Sequence, residues 1–208
     1  PICHGGDHQR SWLVLEYIEF GTSCRHTWVM VGRQLAAMHR CDSDTFGWDR
    51  DNTIGATPQN NSPGSNWVEF FRQQRLGYQL SLAGDNGASL RLLDRGNLLL
   101  DALPHLFSAY QPRASLLHGD LWGGNWAADE QGNPVIFDPA VYFGDREADL
   151  AMTELFGGFE DRFYQSYRPA WTLDPGYSTR NVLYNLSHIL NPYNLFGGGS
   201  ADEALGLI

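Results

Sequence analysis

Residues 116–125 of this 208-residue chain read LLHGDLWGGN, and this stretch decides how the fold is interpreted. Its polar residues follow the pattern H-x-D-x-x-x-x-N, which is the spacing of the catalytic loop of kinases. In that loop the Asp orients an attacking hydroxyl and accepts its proton, while the Asn binds a magnesium ion. The pattern therefore predicts Asp120 as the general base and Asn125 as a magnesium ligand, with His118 as structural support for the loop.

A second metal ligand is predicted at Asp138, thirteen residues beyond Asn125 in the segment VIFDPA. The residues between them read as a strand, a turn containing Gly132, and a second strand, which is the pattern of a β-hairpin. A hairpin brings its two ends together, so Asn125 and Asp138 could share one cation. Short motifs of this kind also occur as structural turns and loop caps, and that alternative stays open for each residue taken singly.

Upstream of the loop, residues 11–18 form an apolar, β-branched run that is typical of a strand and breaks at Glu19. In a kinase this run would be the last strand of the small lobe, entering the hinge. The extended backbone at Glu16, Tyr17 and Ile18 could then offer a carbonyl and an amide to an adenine edge. An ordinary buried strand explains the segment equally well.

Most of the remaining chain is predicted to be helical, because apolar residues recur every three or four positions. The expected helices cover residues 27–40, 67–83, 89–110 with a kink or break at Pro104, and 161–195 with breaks near Pro169 and Pro175. Gly-rich residues 196–199 are expected to join the last of these to a short terminal helix. The polar connection of residues 41–66 either lines the acceptor side of a cleft or is a variable loop.

Residues 142–152 are also predicted to contain the start of a helix, since acidic residues in a first turn favour the positive end of the helix dipole. Asp149 lies within this helix, where a carboxylate has little intrinsic advantage. We expect it to brace the catalytic loop through the backbone amides of that loop. A solvated helix charge is the alternative. His39, at the end of the first predicted helix, is interpreted as a hydrogen-bonded structural residue.

Composition limits the classes of function. A hydrophobic content of 42% is enough for one substantial core or two small ones, and there is no run of 18 apolar residues to suggest a membrane segment. The formal charge of −10 argues against nucleic acid as a partner. Three cysteines without a C-x-x-C pair suggest neither a disulfide framework nor a zinc site, and they predict a reducing cytoplasm.

All fourteen basic residues are Arg, and the chain contains no Lys. A kinase pairs the phosphates of its nucleotide with a strand-borne Lys under a Gly-rich loop. Neither that Lys nor a G-x-G-x-x-G sequence is present, and the chain does not begin with Met. These features predict a fragment without the front part of a kinase.

Four segments together resemble the fructosamine kinase, or ketosamine 3-kinase, family. They are HGDLWGGN at residues 118–125, DPAVYFGDREADLAMTELFGG at 138–158, NTIGATPQ at 52–59 and NLFGGG at 194–199. This family is related to aminoglycoside and choline kinases. The resemblance spans nearly the whole chain, and the Trp in H-G-D-L-W is not shared by kinase-like proteins in general.

The resemblance implies an α+β, protein-kinase-like fold, seen here mainly as the helical C-terminal lobe with its catalytic-loop hairpin. Residues 1–18 would be a remnant of the N-terminal lobe with the hinge strand, and residues 19–208 the C-terminal lobe with the catalytic loop and metal site. Most of the small β lobe would be absent.

The implied activity is ATP-dependent phosphorylation of a sugar hydroxyl in a ketosamine, either a fructosamine or a ribulosamine, which frees the amine and repairs glycation. Carried over, Asp120 is the base, Asn125 and Asp138 bind Mg²⁺, residues 16–18 hold adenine, and Trp122 forms a wall against the sugar. Two alternatives remain: a phosphotransferase of the aminoglycoside or choline type, or a non-catalytic pseudokinase if the small lobe is truly missing. The physiological substrate and the oligomeric state stay open.

Overall fold

The computed structural model describes residues 1–197 and 200–207. Its helices form where the sequence repeats apolar residues every three or four positions. They are α1 (Arg25–His39), α2 (Trp67–Phe71), α3 (Gly77–Asp85), α4 (Leu90–Leu106), α5 (Arg146–Glu154), α6 (Asp161–Ala170), α7 (Tyr177–Phe196) and α8 (Ser200–Leu207). A π-helical turn, Arg72–Leu76, joins α2 to α3 without a break.

The strands are short and pair antiparallel. They are β1 (Cys3–Gly6), β2 (Ser11–Val14), β3 (Phe20–Gly21), β4 (Asp42–Ser43), β5 (Asn52–Ile54), β6 (Thr57–Gln59), β7 (Ala114–Leu117), β8 (Trp126–Asp129), β9 (Pro134–Ile136) and β10 (Tyr142–Gly144). Their orders are β1-β2, β10-β7-β4, β3-β8-β9 and β5-β6. The result is a mixed α/β fold with several small sheets, and the predicted hairpin is confirmed as β8 and β9.

Two apolar clusters hold the helices together. The larger one lies between α2, α3, α4 and α7 and extends to β7 and β10, with Trp67, Phe71 and Tyr184 at its centre. The smaller one joins α1 and α6 to the loop of residues 118–125, and Leu121 and Phe163 are completely buried in it. This loop therefore lies where the two clusters meet.

The predicted helices are largely confirmed. The first begins two residues earlier than expected and ends at His39, and the second runs on to Asp85 through the π turn. The predicted breaks near Pro169 and Pro175 are confirmed, because α6 ends at Ala170 and α7 begins at Tyr177. A break of α4 at Pro104 is wrong, since the proline lies in the last turn of a helix that ends only at Leu106.

The predicted strand over residues 11–18 is correct only in its first half. It ends at Val14 because its partner β1 is four residues long, and Cys3 opposite Val14 closes the ladder. Residues 15–19 have no regular structure, and almost all of the β1–β2 hairpin is exposed.

The predicted start of the helix after the hairpin is confirmed as α5. Asp145 precedes it, and one oxygen of the Asp145 carboxylate accepts a hydrogen bond from the amide of Glu147 at 3.1 Å, which caps the helix. The short terminal helix is confirmed as α8. Gly198 and Gly199 of the predicted joint lie outside the described residues. No helix within the described ranges is long and apolar enough to cross a membrane.

Candidate active site

The loop between β7 and β8 brings Asp120 and Asn125 into direct contact. The side-chain amide of Asn125 donates to the Asp120 carboxylate oxygen Oδ2 and to the Asp120 carbonyl, both at 2.9 Å. The same nitrogen lies 3.5 Å from the carbonyl oxygen of Asp138. Asp120 and Asn125 thus meet through their side chains, and the backbone of Asp138 lies next to them.

The hairpin places Asp138 beside this loop. The amide of Phe137 donates to the Asn125 carbonyl at 3.0 Å, so the two ends of the hairpin are joined. Asp138 itself has a φ of 52°, in the left-handed region that Asp tolerates better than most residues. Its side chain is exposed. An exposed carboxylate next to the loop is accessible to an external ligand.

Burial decides the acidity of Asp120. Loss of solvent raises the pKa of this carboxyl to about 6, and the nearby charges of Asp149 and Asp138 act in the same direction, while the hydrogen bond from Asn125 opposes the shift. A carboxylate with such a pKa is ionised at neutral pH and still basic enough to accept a proton from a reacting hydroxyl.

His118 uses both ring nitrogens inside the loop. Nδ1 accepts from the amide of Asp120 at 3.3 Å, and Nε2 donates to the Phe137 carbonyl at 2.9 Å. An amide must donate and a carbonyl must accept, so the ring is neutral with its proton on Nε2. Burial lowers the pKa of His118, which favours the same neutral form. The ring therefore links the loop to the hairpin.

Asp149 lies beneath the loop, with a relative exposure of 1%. Its two oxygens accept from the amides of His118 at 2.7 Å and Gly119 at 2.8 Å. A third contact comes from Nε2 of His39 at 3.1 Å, while Nδ1 of that ring lies 2.8 Å from the Tyr167 hydroxyl. Burial opposes ionisation, but the hydrogen bond and charge of His39 and the amides lower the pKa of Asp149. The prediction that His39 is a hydrogen-bonded structural residue is confirmed.

Gly119 permits the sharp turn between these contacts. Its φ is 82°, and an added Cβ would lie 2.1 Å from the carbonyl oxygen of Ala140. The carbonyl of the preceding residue, His118, accepts from the Ala140 amide at 2.9 Å. A side chain at position 119 would therefore push the loop away from the segment that follows Asp138.

A large apolar cleft lies on one side of Asp138. It encloses about 810 Å³, and its walls are the chain from Leu13 to Phe20 and the segment from Val135 to Pro139. Glu16, Tyr17 and Ile18 all line it. No backbone hydrogen bond of these three residues is found within the described part of the chain, so their peptide groups are available to a ligand.

A second cavity, of about 330 Å³, shares no lining residue with the first. Asp120 and Trp122 line it, and so does Ile54 from the long connection that was expected to face the acceptor. The indole of Trp122 is 40% exposed. Asp120 thus borders one cleft while Asp138 borders the other.

Sequence reasoning missed several residues of this second cavity, namely Met152, Phe156, His188, Asn191, Pro192, Leu195 and Phe196. His188 and Asn191 lie one turn apart on α7, and two polar residues at that spacing in an apolar helix could have been noticed. Phe156 precedes Gly157 and Gly158, a sequence that signals an unusual backbone. Nothing in the sequence shows that these residues meet Asp120.

The donor atoms near the loop fit a magnesium ion held together with phosphate groups. Asn125 and Asp138 offer hard oxygens, which Mg²⁺ prefers, and such sites use few protein ligands because phosphates and water complete the shell. Within the described residues, no group of three or more His, Cys, Asp or Glu side chains could hold a metal by itself. A two-residue site is therefore consistent with the chemistry of these side chains.

The sequence profile of the fructosamine kinase family matches residues 1–208. A protein of Synechocystis named probable ketoamine kinase is 49% identical over 205 residues, which cover 98% of this chain and 68% of that protein. The chloroplastic protein-ribulosamine 3-kinase of Arabidopsis thaliana is 44% identical over 200 residues, covering 95% of this chain but 61% of the plant protein. The chain therefore spans about two thirds of the length of these relatives.

Two crystal structures have the same fold. The one from Haemophilus somnus superposes with a TM-score of 0.89 at 28% identity, covering 99% of this chain and 70% of the other. The one from Thermobifida fusca superposes with a TM-score of 0.87 at 34% identity, covering 92% of this chain and 67% of the other. Both proteins are described as putative fructosamine-3-kinases.

Proposed function

Because this chain belongs to the fructosamine kinase family, which consists of phosphotransferases acting on sugar hydroxyls, we propose that it carries the catalytic part of an ATP-dependent ketosamine kinase. The acceptor is a sugar hydroxyl of a fructosamine or ribulosamine, and the biological role is the removal of sugars from glycated amines. The names of the similar proteins, ketoamine kinase and ribulosamine 3-kinase, support this substrate class.

The observation that carries the proposal is the position of the catalytic loop between two clefts. Asp120 borders the smaller cavity, and Asp138 borders the larger one. Asn125 lies between them, because its side-chain nitrogen donates to Asp120 Oδ2 at 2.9 Å and is 3.5 Å from the carbonyl oxygen of Asp138. An acceptor in the smaller cavity and a nucleotide in the larger one would meet at this loop, as in-line phosphoryl transfer requires.

In this proposal Asp120 is the base. Its carboxylate accepts the proton of the acceptor hydroxyl as the hydroxyl oxygen forms a bond to the terminal phosphorus of the nucleotide. The bond between that phosphorus and the bridging oxygen breaks, and ADP leaves. The raised pKa of Asp120, about 6, suits this exchange at neutral pH.

The remaining residues hold the reactants and the loop. Asn125 and Asp138 would bind Mg²⁺, which neutralises phosphate charge when present. The open peptide groups of Glu16, Tyr17 and Ile18 would bind the adenine edge, and Trp122 would pack against the apolar face of the sugar. His118 and Asp149 keep the loop in place through the hydrogen bonds described above.

The proposed architecture is that of a protein-kinase-like enzyme. Residues 1–18 would be the remnant of the small lobe and the hinge, and residues 19–208 the large helical lobe. The exposure of nearly the whole β1–β2 hairpin supports a boundary there. A cytoplasmic location is supported by three cysteines that are free and exposed.

The test of Asp120 is the variant Asp120→Asn in the complete gene product. We expect kcat for a fructosamine to fall by about 10²- to 10⁴-fold, because an amide cannot accept the proton. The variant should stay folded, since an Asn preserves the shape of the side chain. ADP release measures the rate, and circular dichroism checks the fold. Asp44→Asn, at an exposed site, is the control and should keep full activity.

A panel of acceptors decides the substrate class in the same assay. The proposal expects turnover of a fructosamine or ribulosamine and none of an aminoglycoside or of choline. Turnover of only the aminoglycoside or choline would show that the proposed substrate class is wrong, but Asp120 would remain the proposed base. A wild-type protein that binds nucleotide but phosphorylates nothing in the panel would favour the pseudokinase.

A further inference from the structure

Phe156 has a backbone conformation that phenylalanine rarely adopts. Its φ is 53°, in the left-handed region, and it lies just beyond the end of α5 at Glu154 and its capping residue Leu155. Helices commonly end with a left-handed residue at this place, and Gly usually occupies it because a side chain is strained there. This chain has Gly at the next two positions instead.

The side chain of Phe156 is also poorly buried. Its relative exposure is 55%, so the ring gains little from the apolar core. A glycine at this position would remove both the strain and the exposed apolar surface. A left-handed backbone that presents a largely exposed ring points to a ligand as the reason for the ring.

The ring of Phe156 is in the acceptor cavity. It meets the indole of Trp122 edge-on, with ring centroids 6.5 Å apart and an interplanar angle of 83°. Both rings line the cavity that Asp120 borders, and Phe196 is a third exposed aromatic ring on its wall. The rings of Trp122 and Phe156 therefore form a corner beside the candidate base.

The charges of this cavity favour a cation. Among the described residues that line it, Asp120 is the one carboxylate and there is no arginine. His188 is held neutral, since burial lowers its pKa. Aromatic faces attract ammonium groups, and a desolvated contact of this kind changes affinity by about tenfold or more. A net charge of −10 on the chain acts in the same direction.

We propose that Phe156 determines specificity for the amine of the substrate. With Trp122 it forms an aromatic corner that contacts the protonated amine nitrogen, which is bonded to the sugar. This inference rests on the proposed function, and it explains how the site would distinguish a ketosamine from a ketose without an amine. Trp122 borders the sugar and Phe156 the ammonium.

The first experiment compares two acceptors in the complete gene product. One is 1-alkylamino-1-deoxyfructose, and the other is the neutral 1-O-alkyl fructose of the same length. We expect the wild type to prefer the amine by about tenfold or more in kcat/KM. In Phe156→Leu, which keeps an apolar side chain but has no aromatic face, KM for the amine rises and the preference is lost. KM for ATP stays unchanged, KM for the ether changes less than KM for the amine, and Phe156→Tyr restores the preference.

The second experiment separates ligand binding from folding. Phe156→Asn places a residue that tolerates the left-handed region at this position, so we expect the melting temperature to rise by about 2 to 4 °C while KM for the amine increases. If the ring only stabilised the fold, Phe156→Asn would lower the melting temperature instead. That result would overturn the inference.

Failure of the inference is distinguishable from failure of the proposed function. If the wild type phosphorylates the ketosamine and Phe156→Leu keeps the same preference for the amine, the role of Phe156 is wrong and the kinase assignment stands. If the wild type turns over neither acceptor, the kinase assignment fails and the role of Phe156 fails with it.

Discussion

A single buried carboxylate, Asp149, accepts hydrogen bonds from the loop that carries Asp120. It accepts from two consecutive loop amides and from His39, all within 3.1 Å, and it is almost completely excluded from solvent. Hydrogen bonds to a charged group are stronger than those between neutral groups. Each oxygen of Asp149 therefore accepts from a loop amide, and these hydrogen bonds hold the loop against α5.

The variant Asp149→Asn should break this arrangement. One oxygen becomes an NH₂ group that faces an N–H donor, so we expect the free energy of unfolding to fall by about 3 to 5 kcal/mol. Any folded protein that remains should have a kcat reduced by at least about tenfold, because Asp120 moves with the loop. Urea unfolding and ADP release measure the two effects.

The control for this substitution is Asp94→Asn, on the exposed face of α4. It should change the free energy of unfolding by less than about 0.5 kcal/mol. Equal stability of the Asp149 and Asp94 variants would mean that Asp149 does not support the loop, and the hydrogen bonds seen here would carry little net energy.

At the scale of elements, a chain of buried hydrogen bonds fixes α2, α5 and α7 to one another. The indole nitrogen of Trp67 donates to the Tyr184 hydroxyl at 2.9 Å, and that hydroxyl donates to Asp145 at 2.6 Å. The Tyr110 hydroxyl donates to the other oxygen of Asp145 at 2.9 Å. Asp145 is the residue that caps α5, so the direction of the helix carrying Asp149 depends on these contacts.

We expect Tyr184→Phe to lower the free energy of unfolding by about 2 to 4 kcal/mol, since it leaves a buried N–H and a buried carboxylate oxygen unpaired. Tyr110→Phe removes one hydrogen bond from an oxygen that still accepts from the Glu147 amide. Tyr110→Phe should therefore lower the free energy of unfolding by only about 1 kcal/mol. Chemical denaturation compares the two, and a larger loss in Tyr110→Phe would contradict the chain of contacts described here.

Elements were predictable from the sequence where the cause is local. The 3.6-residue period located α1 and α7, and the turn at Gly132 located the hairpin, because neighbouring residues decide both features. The strand over residues 11–18 was predicted too long because its length depends on a distant partner, β1. The left-handed Phe156 and its contact with Trp122 depend on where α5 ends relative to the catalytic loop, which no local pattern encodes.

At the scale of the whole molecule, His188 lies where the packed core meets the cavity that Asp120 borders. It lies on α7, and its Nε2 is 3.3 Å from the Ala148 carbonyl of α5. The carboxylates that face it are Asp149, from α5, and Asp120, across the cavity. Burial lowers the pKa of His188, although the Ala148 carbonyl and the charge of Asp149 favour the proton.

This lowered pKa predicts that His188 makes the protein less stable in mild acid. Above pH 6.5 the imidazole is neutral in both the folded and the unfolded chain, so it adds no pH dependence. Below that pH the unfolded chain takes up the proton and the folded chain resists it. The unfolded state is then favoured by up to about 1.4 kcal/mol per pH unit, until the folded state is protonated as well.

The variant His188→Asn removes this proton uptake. Measured by urea unfolding from pH 7.5 to pH 5, the free energy of unfolding of the variant should fall less steeply than that of the wild type, so the difference between them shifts in favour of the variant as the pH decreases. His105→Asn, on the exposed surface of α4, is the control. Its free energy of unfolding should change with pH in parallel with that of the wild type. Parallel curves for His188→Asn as well would show that the folded protein accommodates a charged imidazole here and that burial does not lower the pKa of His188.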